Sequence, residues 1–403
     1  MADDRALIAH ILRRTSFGPL PGQVDRLAAL GVDGVLDNVL AAVPRRVDPP
    51  NLGSSDDRTE LVNWWTKGMA SQDAGLHEKL VWFWHGHFTS SYDKTQVRFL
   101  WGQQQLFRKY ALGNFRAMCQ AITVDAAMLG YLDGDGSKAE APNQNYAREL
   151  MELFTMGRGG YTEADIAAAA VALSGWVVDD NKGSVKFSEE DGPSGPVSLL
   201  GKSGVRDAKG VVDIVCDHPS TAAFIVSKLH RYFVGTDPSD ERRAELAKTF
   251  RDTGLEIRPV VENILRHPTF MGARYNRPRF PMEWITAASG VLGERPGNEV
   301  YDLLGQEPFN PPNVAGWPVA STRWLSTGAY FVKAEQAMNL AQDTELGSEA
   351  DPVDAVLQKA SIYDASDTTI KALRSAASQA TRKRDRATLL HALVVVCPEF
   401  QMA

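Results

Sequence analysis

The stretch PNQNYARELMELFTMG, residues 142–157, decides how the rest of this chain is interpreted. It begins with a proline turn, continues through good helix formers and ends at a glycine, which favours the end of a helix. Four polar residues follow one another at i, i+3, i+4 and i+7, namely Asn145, Arg148, Glu149 and Glu152. A regular α-helix would place them on one face. The other positions are nearly all apolar, and a helix that is apolar on most sides is normally buried.

Burial of this polar face would remove two carboxylates from water, where a charge persists only when it is paired or bound to metal. The pattern therefore indicates either an active site or a structural ion network. In an active site, Glu149 and Glu152 would bind one metal or act as an acid–base pair, with Arg148 assisting catalysis. In the alternative, an Arg–Glu network only fixes the helix.

A second polar feature is the pair of histidines in the motif FWHGHF. In a regular helix His85 and His87 would point about 200° apart, so they can share one centre only if the chain turns at Gly86. Histidines at this spacing are common metal ligands. The alternative is one packed and one surface histidine. If both met Glu149 and Glu152, the four side chains would form a His₂Glu₂ site for iron, manganese, copper or zinc.

Five further residues are expected to orient a substrate or to wall its cleft. They are Asn143, Asn145, Trp176, Gln306 and Trp317. The last two belong to a Pro/Gly/Trp-rich loop at 304–320, and a long loop inside a domain is usually functional or tightly docked. Aromatic residues are found more often in the hydrophobic core than in binding sites, so core packing is the alternative role for the two tryptophans.

The segment around His10, Arg13 and Arg14, followed by Phe17 and Gly18, offers a possible anion site. As an isolated feature, the segment is more simply interpreted as a solvated helix end.

Helical periodicity dominates the chain and predicts a mainly α protein, a single large multi-helical domain over residues 1–403. The exception is WVVDDNKGSVKF at 176–187, which has the alternation and polar turn of a β-hairpin. A hairpin and loop insertion is expected over 177–204, and a helical C-terminal part over 322–403.

Composition limits the possible partners. A net charge of −7 and the lack of a long basic run argue against nucleic acid binding. No apolar window is long enough to span a membrane. Three well-separated cysteines and an acidic N-terminal start favour a reduced, cytoplasmic protein without a secretory signal. A leader cleaved from a longer precursor stays an open alternative, and the oligomeric state is not determined.

Several strings in a fixed order resemble a bacterial family catalogued as domain of unknown function 1800. They are HILRRTSFG from residue 10, FWHGHF from 83, the stretch 142–157, YTEAD from 161 with LSGW from 173, HPSTA from 218 with KL from 228, and PPNVAGWP from 311. The resemblance covers roughly residues 8–330. The family has no general assigned activity, and many of its members look exported, whereas we expect this chain to lack a leader.

The leading functional prediction is a metal-dependent oxidoreductase that acts on a small organic substrate in a biosynthetic pathway. A metal-assisted or cofactor-free hydrolase, with acid–base work by the two glutamates, is the second possibility. The third is a non-catalytic helical scaffold or binding protein whose polar cluster is structural.

Overall fold

The structure is a computed structural model that describes residues 2–43, 47–53, 57–71, 75–318, 321–347 and 351–403. Its described residues are mainly helical, which confirms the predicted fold class. The first part of the chain forms helices α1 Ala2–Thr15, α2 Gln23–Leu27, α3 Gly31–Leu40, α4 Asp57–Met69, α5 Leu76–His87, α6 Val97–Tyr110, α7 Phe115–Thr123, α8 Ala126–Tyr131 and α9 Asn145–Glu149. A 3₁₀ turn, Ala28–Leu30, precedes α3, and a π-helical segment, Leu150–Thr155, continues α9.

The remainder of the chain is also built from helices. They are α10 Glu163–Leu173, α11 Ala208–Asp217, α12 Pro219–Val234, α13 Asp240–Asp252, α14 Ile257–Arg266, α15 Pro268–Met271, α16 Pro281–Leu292, α17 Glu299–Leu303, α18 Thr327–Leu340, α19 Pro352–Lys359, α20 Asp367–Gln379, α21 Lys383–Val396 and α22 Pro398–Gln401. A 3₁₀ turn, Ser321–Leu325, precedes α18.

Local sequence signals explain several helix starts. Thr162 and Asp165 form the capping box that opens α10, because each side chain accepts from the backbone N–H of the other. His218 accepts from the backbone N–H of Ser220 at the start of α12, where Pro219 occupies the first turn and needs no hydrogen-bond partner of its own.

Two small antiparallel hairpins interrupt the helices. Strands β1 Trp176–Asp179 and β2 Ser184–Phe187 pair with Trp176 opposite Phe187, which confirms the predicted hairpin. Strands β3 Val197–Leu199 and β4 Lys202–Val205 form a separate sheet that the sequence did not predict. Three- and four-residue strands carry too short an alternation to be recognised.

Helices α5 and α16 lie at the centre of the core. All but one residue of α5 and nearly every residue of α16 are buried. Lys79 of α5 and Glu283 of α16 join them by an ion pair of 2.5 Å. Trp284 then donates to the carbonyl of Val395 at 2.8 Å, which ties α16 to α21.

The segment after α17 runs irregularly from residue 304 to 318 and packs on α5. Residues 319 and 320 of the predicted loop lie outside the described residues. Gly316 has a φ of +79°, and a Cβ there would stand 2.2 Å from the carbonyl oxygen of Gly86. Only glycine permits this approach, so the loop is held firmly against the end of α5.

No helix in the described part of the chain combines the length and the apolar character needed to cross a bilayer.

Candidate functional site: an aromatic pocket around Lys228

The polar face predicted for residues 145–152 lies at the surface, so the expectation that it would be buried is wrong. Arg148 donates two hydrogen bonds to Glu163, at 2.9 and 2.8 Å. Glu152 accepts from Arg158 at 2.8 Å and from Tyr161 at 3.3 Å. The apolar positions of the same segment are the ones that face the core.

A change of helical geometry accompanies this placement. The backbone N–H of Met156 donates to the carbonyl of Met151, five residues earlier. The hydroxyl of Thr155 donates to the carbonyl of Leu150 at 2.5 Å, again five residues earlier. In a π-helical turn the regular i, i+3, i+4, i+7 face is not maintained.

Glu149 is half-buried, and its burial, followed by the charge of Glu152, raises its pKa.

The two histidines are buried but are held by different parts of the chain. The Nε2–H of His87 donates to the carbonyl of Phe154 at 2.9 Å. The Nε2 of His85 accepts from the backbone N–H of Phe309 at 3.1 Å. Helix α5 continues through Gly86, so the expected turn that would bring the rings together does not occur.

Among the described residues, no group of three or more His, Cys, Asp or Glu side chains is placed to hold a metal ion. The predicted convergence of His85, His87, Glu149 and Glu152 in one hollow is therefore wrong. Glu152 pairs with Arg158 and Glu149 is half-buried, while both histidines are buried in the core. Their separate roles in metal binding or catalysis stay predictions.

Three of the predicted substrate residues organise other parts of the molecule. Asn145 donates from its side chain to Asp133 at 2.9 Å, and its backbone N–H donates to the Asn143 side chain at 2.8 Å. Trp176 packs edge-on against Phe187 within the first hairpin, at 5.2 Å between ring centroids.

The structure does bring together three predicted residues, His87, Gln306 and Trp317, around one pocket. The pocket has a cavity volume of about 100 Å³, and the space including its opening to solvent is about 660 Å³. Its lining is contributed by Trp82, Phe83, Gly86, His87, Lys228, Arg231, Tyr232, Phe280, Gln306, Ala315, Trp317 and Pro318. The walls therefore come from α5, α12, the start of α16 and the 304–318 loop.

Aromatic rings form most of the pocket wall. Trp82 and Trp317 stack at 5.1 Å with an angle of 19° between their planes. Phe83 lies 5.0 Å from Tyr232, which in turn stacks on Phe280 at 6.1 Å. Such walls favour a ligand with a flat or apolar body.

Lys228 is the polar group that distinguishes this pocket. Among the described residues, none accepts a hydrogen bond from its Nζ or forms an ion pair with it, and the charge of Arg231, another residue of the lining, acts on its amine. Arg231 itself pairs with Asp237. The pKa of Lys228 is lowered to about 7, first by burial and then by the Arg231 charge. A substantial part of the amine is therefore neutral near pH 7.

Two further polar atoms in the lining lack partners among the described residues, Nδ1 of His87 and Nε1 of Trp317. A carbonyl only accepts, so the proton of His87 resides on Nε2 and its Nδ1 is a free acceptor. Burial, followed by the Lys228 charge, lowers the pKa of His87 well below its usual range. The pocket thus offers an amine, an imidazole acceptor and an indole donor.

A scan against protein-family models matches residues 10–402 to the family described as Protein of unknown function (DUF1800). The chain belongs to the DUF1800 family. The match confirms the resemblance given above and extends it to nearly the whole chain, so every lining residue of the pocket lies within the family region. Searches of curated proteins and of solved structures found no match.

Lys228 is the member of this DUF1800 site that the sequence interpretation missed. The position carries a usable signal, because Phe224 and Tyr232 stand four residues before and after it, and Ile225 stands three before. A lysine at these spacings falls on the apolar side of α12. The helical pattern cannot predict that no described carboxylate belongs to the pocket lining around Lys228, since that depends on the folding of distant segments.

Proposed function

We propose that this protein binds a small organic anion with an apolar or aromatic body in the pocket around Lys228. The observation that carries the proposal is an amine set among aromatic rings without an acidic partner among the described residues. A carboxylate entering the pocket would supply the missing acceptor through a charge-assisted hydrogen bond. The rings would hold the rest of the molecule, in the manner of most small-molecule sites.

Charge arrangement supports an anionic rather than a cationic ligand. Among the described residues of the lining, Lys228 and Arg231 are the two cations, and none is an Asp or a Glu. Nε1 of Trp317 adds a donor that a carboxylate oxygen can accept. Nδ1 of His87 adds one acceptor, which favours a ligand that also carries a hydroxyl or an N–H.

The second candidate is an enzyme that forms an imine between Lys228 and an aldehyde or ketone. It is favoured by the amine pKa of about 7, because only the neutral amine attacks a carbonyl carbon. In that step the C–N bond forms, the two amine protons leave with the carbonyl oxygen as water, and the imine remains. His87 is available in the pocket to accept or return a proton through Nδ1.

The metal-dependent oxidoreductase and the metal-assisted hydrolase are not our first choice, since the described residues provide no preformed ligand group to support them. They stay predictions from the sequence, as do a cytoplasmic location and the absence of nucleic acid binding.

The binding proposal is tested by tryptophan fluorescence, because Trp82 and Trp317 form the pocket wall. The full chain is titrated with benzoate, phenylacetate and short aliphatic carboxylates, and with benzyl alcohol as the uncharged comparison. We expect carboxylates to bind more tightly than benzyl alcohol, and Lys228→Met to remove that preference. Lys248→Met is the matched control, because Lys248 pairs with Asp252 at the surface. Equal binding of benzoate and benzyl alcohol by the unchanged protein would contradict the proposal.

The imine candidate needs a separate measurement. The protein is incubated with glyoxylate or benzaldehyde and reduced with borohydride, which converts an imine into a stable secondary amine. Peptide mass spectrometry should then place the added mass on Lys228 ahead of Lys248 and the other lysines. Uniform labelling of all lysines, or none at Lys228, would exclude imine formation while leaving the binding proposal to its own test.

A further inference from the structure

A second concentration of unpaired charge lies in the core, away from the aromatic pocket. Of the residues that the structure describes, six cationic side chains there are at most 3 % exposed: Arg13, Arg14, Lys79, Arg277, Arg279 and Lys333. Among the described residues, Glu283 is the only carboxylate that forms an ion pair with any of them. Six buried positive charges against one negative charge is an arrangement that proteins rarely tolerate without a further anion.

The single carboxylate is already fully used. Glu283 accepts from Lys79 at 2.5 Å, from two nitrogens of Arg277 at 2.7 and 2.8 Å, and from the backbone N–H of Phe280 at 3.0 Å. It therefore has little capacity to neutralise the remaining four cations.

The remaining cations find neutral partners at best. Arg14 donates to the carbonyl of Ala273 at 3.0 Å and to the side chain of Asn276. Lys333 donates to the side-chain oxygen of Gln401 at 2.8 Å. These contacts satisfy hydrogen bonds but do not balance charge.

Arg13 and Arg279 are the least satisfied of the group. Arg13 makes one long hydrogen bond, 3.3 Å to the carbonyl of Ser361, and its Nε and Nη2 are buried without a partner. Arg279 has no side-chain hydrogen bond to a described residue, and its Nε and Nη1 are buried without a partner. The buried hydroxyl of Ser361 also lacks one. Orphaned groups of this kind are uncommon in native cores.

Aromatic rings cover the faces of both guanidiniums. Arg13 lies over Tyr275 at 4.8 Å and Arg279 over Phe400 at 4.2 Å. A ring stacked on the face of a guanidinium cannot accept its in-plane N–H groups, so these donors point sideways and need an acceptor there.

We infer that the Arg13 and Arg279 guanidiniums, together with the Ser361 hydroxyl, bind a small inorganic anion such as chloride inside the fold. An arginine cannot relieve its burial by losing a proton as a lysine can, so the charge must be met by an anion. The bound anion would join α1, the segment before α16 and the turn after α19. Its role is structural, because the site is enclosed by the core.

The anion site assigns a role to the arginines of the N-terminal motif HILRRTSFG, for which a solvated helix end is the wrong interpretation. Arg13 and Arg14 end α1 in the interior, at 2 % and 0 % exposure, and not in water. His10, one turn earlier, donates from Nε2 to the carbonyl of Phe270 at 2.8 Å. Burial, followed by the charges of Arg14 and Arg13, lowers the pKa of His10 to about 3, so its ring is neutral near pH 7. The positive charge at the anion site is therefore supplied by the arginines.

The test measures melting temperature against chloride concentration in the full chain, with sodium gluconate replacing sodium chloride so that ionic strength stays constant. Gluconate is too large for an enclosed site. We expect the melting temperature to rise with chloride and to saturate, as for any ligand that binds only the folded state. A flat response of the unchanged protein would overturn the inference.

Variants identify the site. Arg279→Met should abolish most of the chloride-dependent rise, whereas Arg266→Met should keep it, because Arg266 is exposed and pairs with Asp37 and Glu262. An undiminished rise in Arg279→Met would contradict the inference.

Ser361→Ala covers the case in which Arg279→Met does not fold, since the Ser361 hydroxyl makes no hydrogen bond to a described residue. It should move half-saturation to a several-fold higher chloride concentration while the melting temperature in gluconate stays the same. Unchanged half-saturation would count against the site.

Bromide, which substitutes for chloride and scatters anomalously, provides the direct readout. Crystals of the full chain soaked in sodium bromide should show an anomalous peak between Arg13 and Arg279. The absence of a peak there would overturn the inference, and a peak combined with a flat melting response would mean an adventitious ion only.

Discussion

Replacement of Glu283 by glutamine should strongly destabilise the protein, although the change in shape is minimal. Glu283 is 1 % exposed and is the shared partner of Lys79 and Arg277. Glutamine keeps the volume but removes the charge, so two buried cations lose their counterion. Breaking a buried ion pair from one side costs about 3–5 kcal/mol.

The expected fall in melting temperature follows from the length of the chain. An unfolding entropy of about 2.1 cal/mol/K per residue over 403 residues converts that loss into a fall of about 4–6 °C. Urea unfolding of Glu283→Gln, Lys79→Met and the double variant would separate the pair energy from the desolvation cost. The double variant should be less destabilised than the sum of the two single variants.

Glu262→Gln is the surface control, because Glu262 pairs with Arg266 on the exposed side of α14. It should cost under about 0.5 kcal/mol. A loss in Glu283→Gln no larger than that of this control would refute the view that Glu283 balances buried charge.

The pH dependence of Glu283 has a definite sign. Arg277 and Lys79 hold its pKa below the usual range despite burial. A carboxyl group with a lowered pKa in the folded state stabilises the fold above its unfolded pKa and loses that contribution as pH falls. The unchanged protein should therefore lose stability below about pH 4.3, and Glu283→Gln should lose less in the same range.

Three further predictions concern the pocket and its surroundings. Carboxylate binding should be accompanied by proton uptake, up to about 0.9 proton per ligand at pH 8 and little at pH 6, because the bound anion raises the lowered Lys228 pKa of about 7. Calorimetry in buffers of different ionisation enthalpy measures this uptake. Equal uptake at pH 8 and pH 6 would count against Lys228. Gly316→Ala should destabilise the protein well beyond the roughly 1–2 kcal/mol of left-handed strain expected for the control Gly305→Ala. Of these two positions, only Gly316 would place the new Cβ 2.2 Å from a carbonyl oxygen. Similar losses of unfolding free energy in urea for the two variants would show that the loop moves to accommodate the methyl group. Stability should also fall as pH drops from about 6.5, because burial lowers the pKa of His85 to about 3 in the folded state and protons then bind preferentially to the unfolded chain. His85→Gln should flatten that part of the curve of stability against pH. An unchanged slope in this variant would contradict the prediction.

Local patterns predicted those features that depend on neighbouring residues. The capping box at Thr162 and the hairpin starting at Trp176 follow from residues within a dozen positions, and both occur. The helical fold class follows from apolar periodicity in the same way.

The candidate site was harder to predict because its parts meet only through distant packing. Glu149 and Glu152 lie on the more exposed side of residues 145–155, because the apolar side of the same segment is the more costly one to leave in water. Gln306 and Trp317 do reach the pocket, since the 304–318 loop docks on α5. The sequence pattern places Lys228 on the apolar side of α12, but it does not show that the described residues around the pocket include no acid.

The contact between the 304–318 loop and α5 has a consequence for synthesis of the chain. The backbone N–H of Phe309 reaches His85 across 224 positions. At about 5–20 residues per second, the ribosome would finish the tryptophan-bearing helix roughly 11–45 s before the loop that covers it. During that interval Trp82 would lack its stacking partner, so the nascent protein would present an aromatic surface to chaperones until the 304–318 loop has been synthesised.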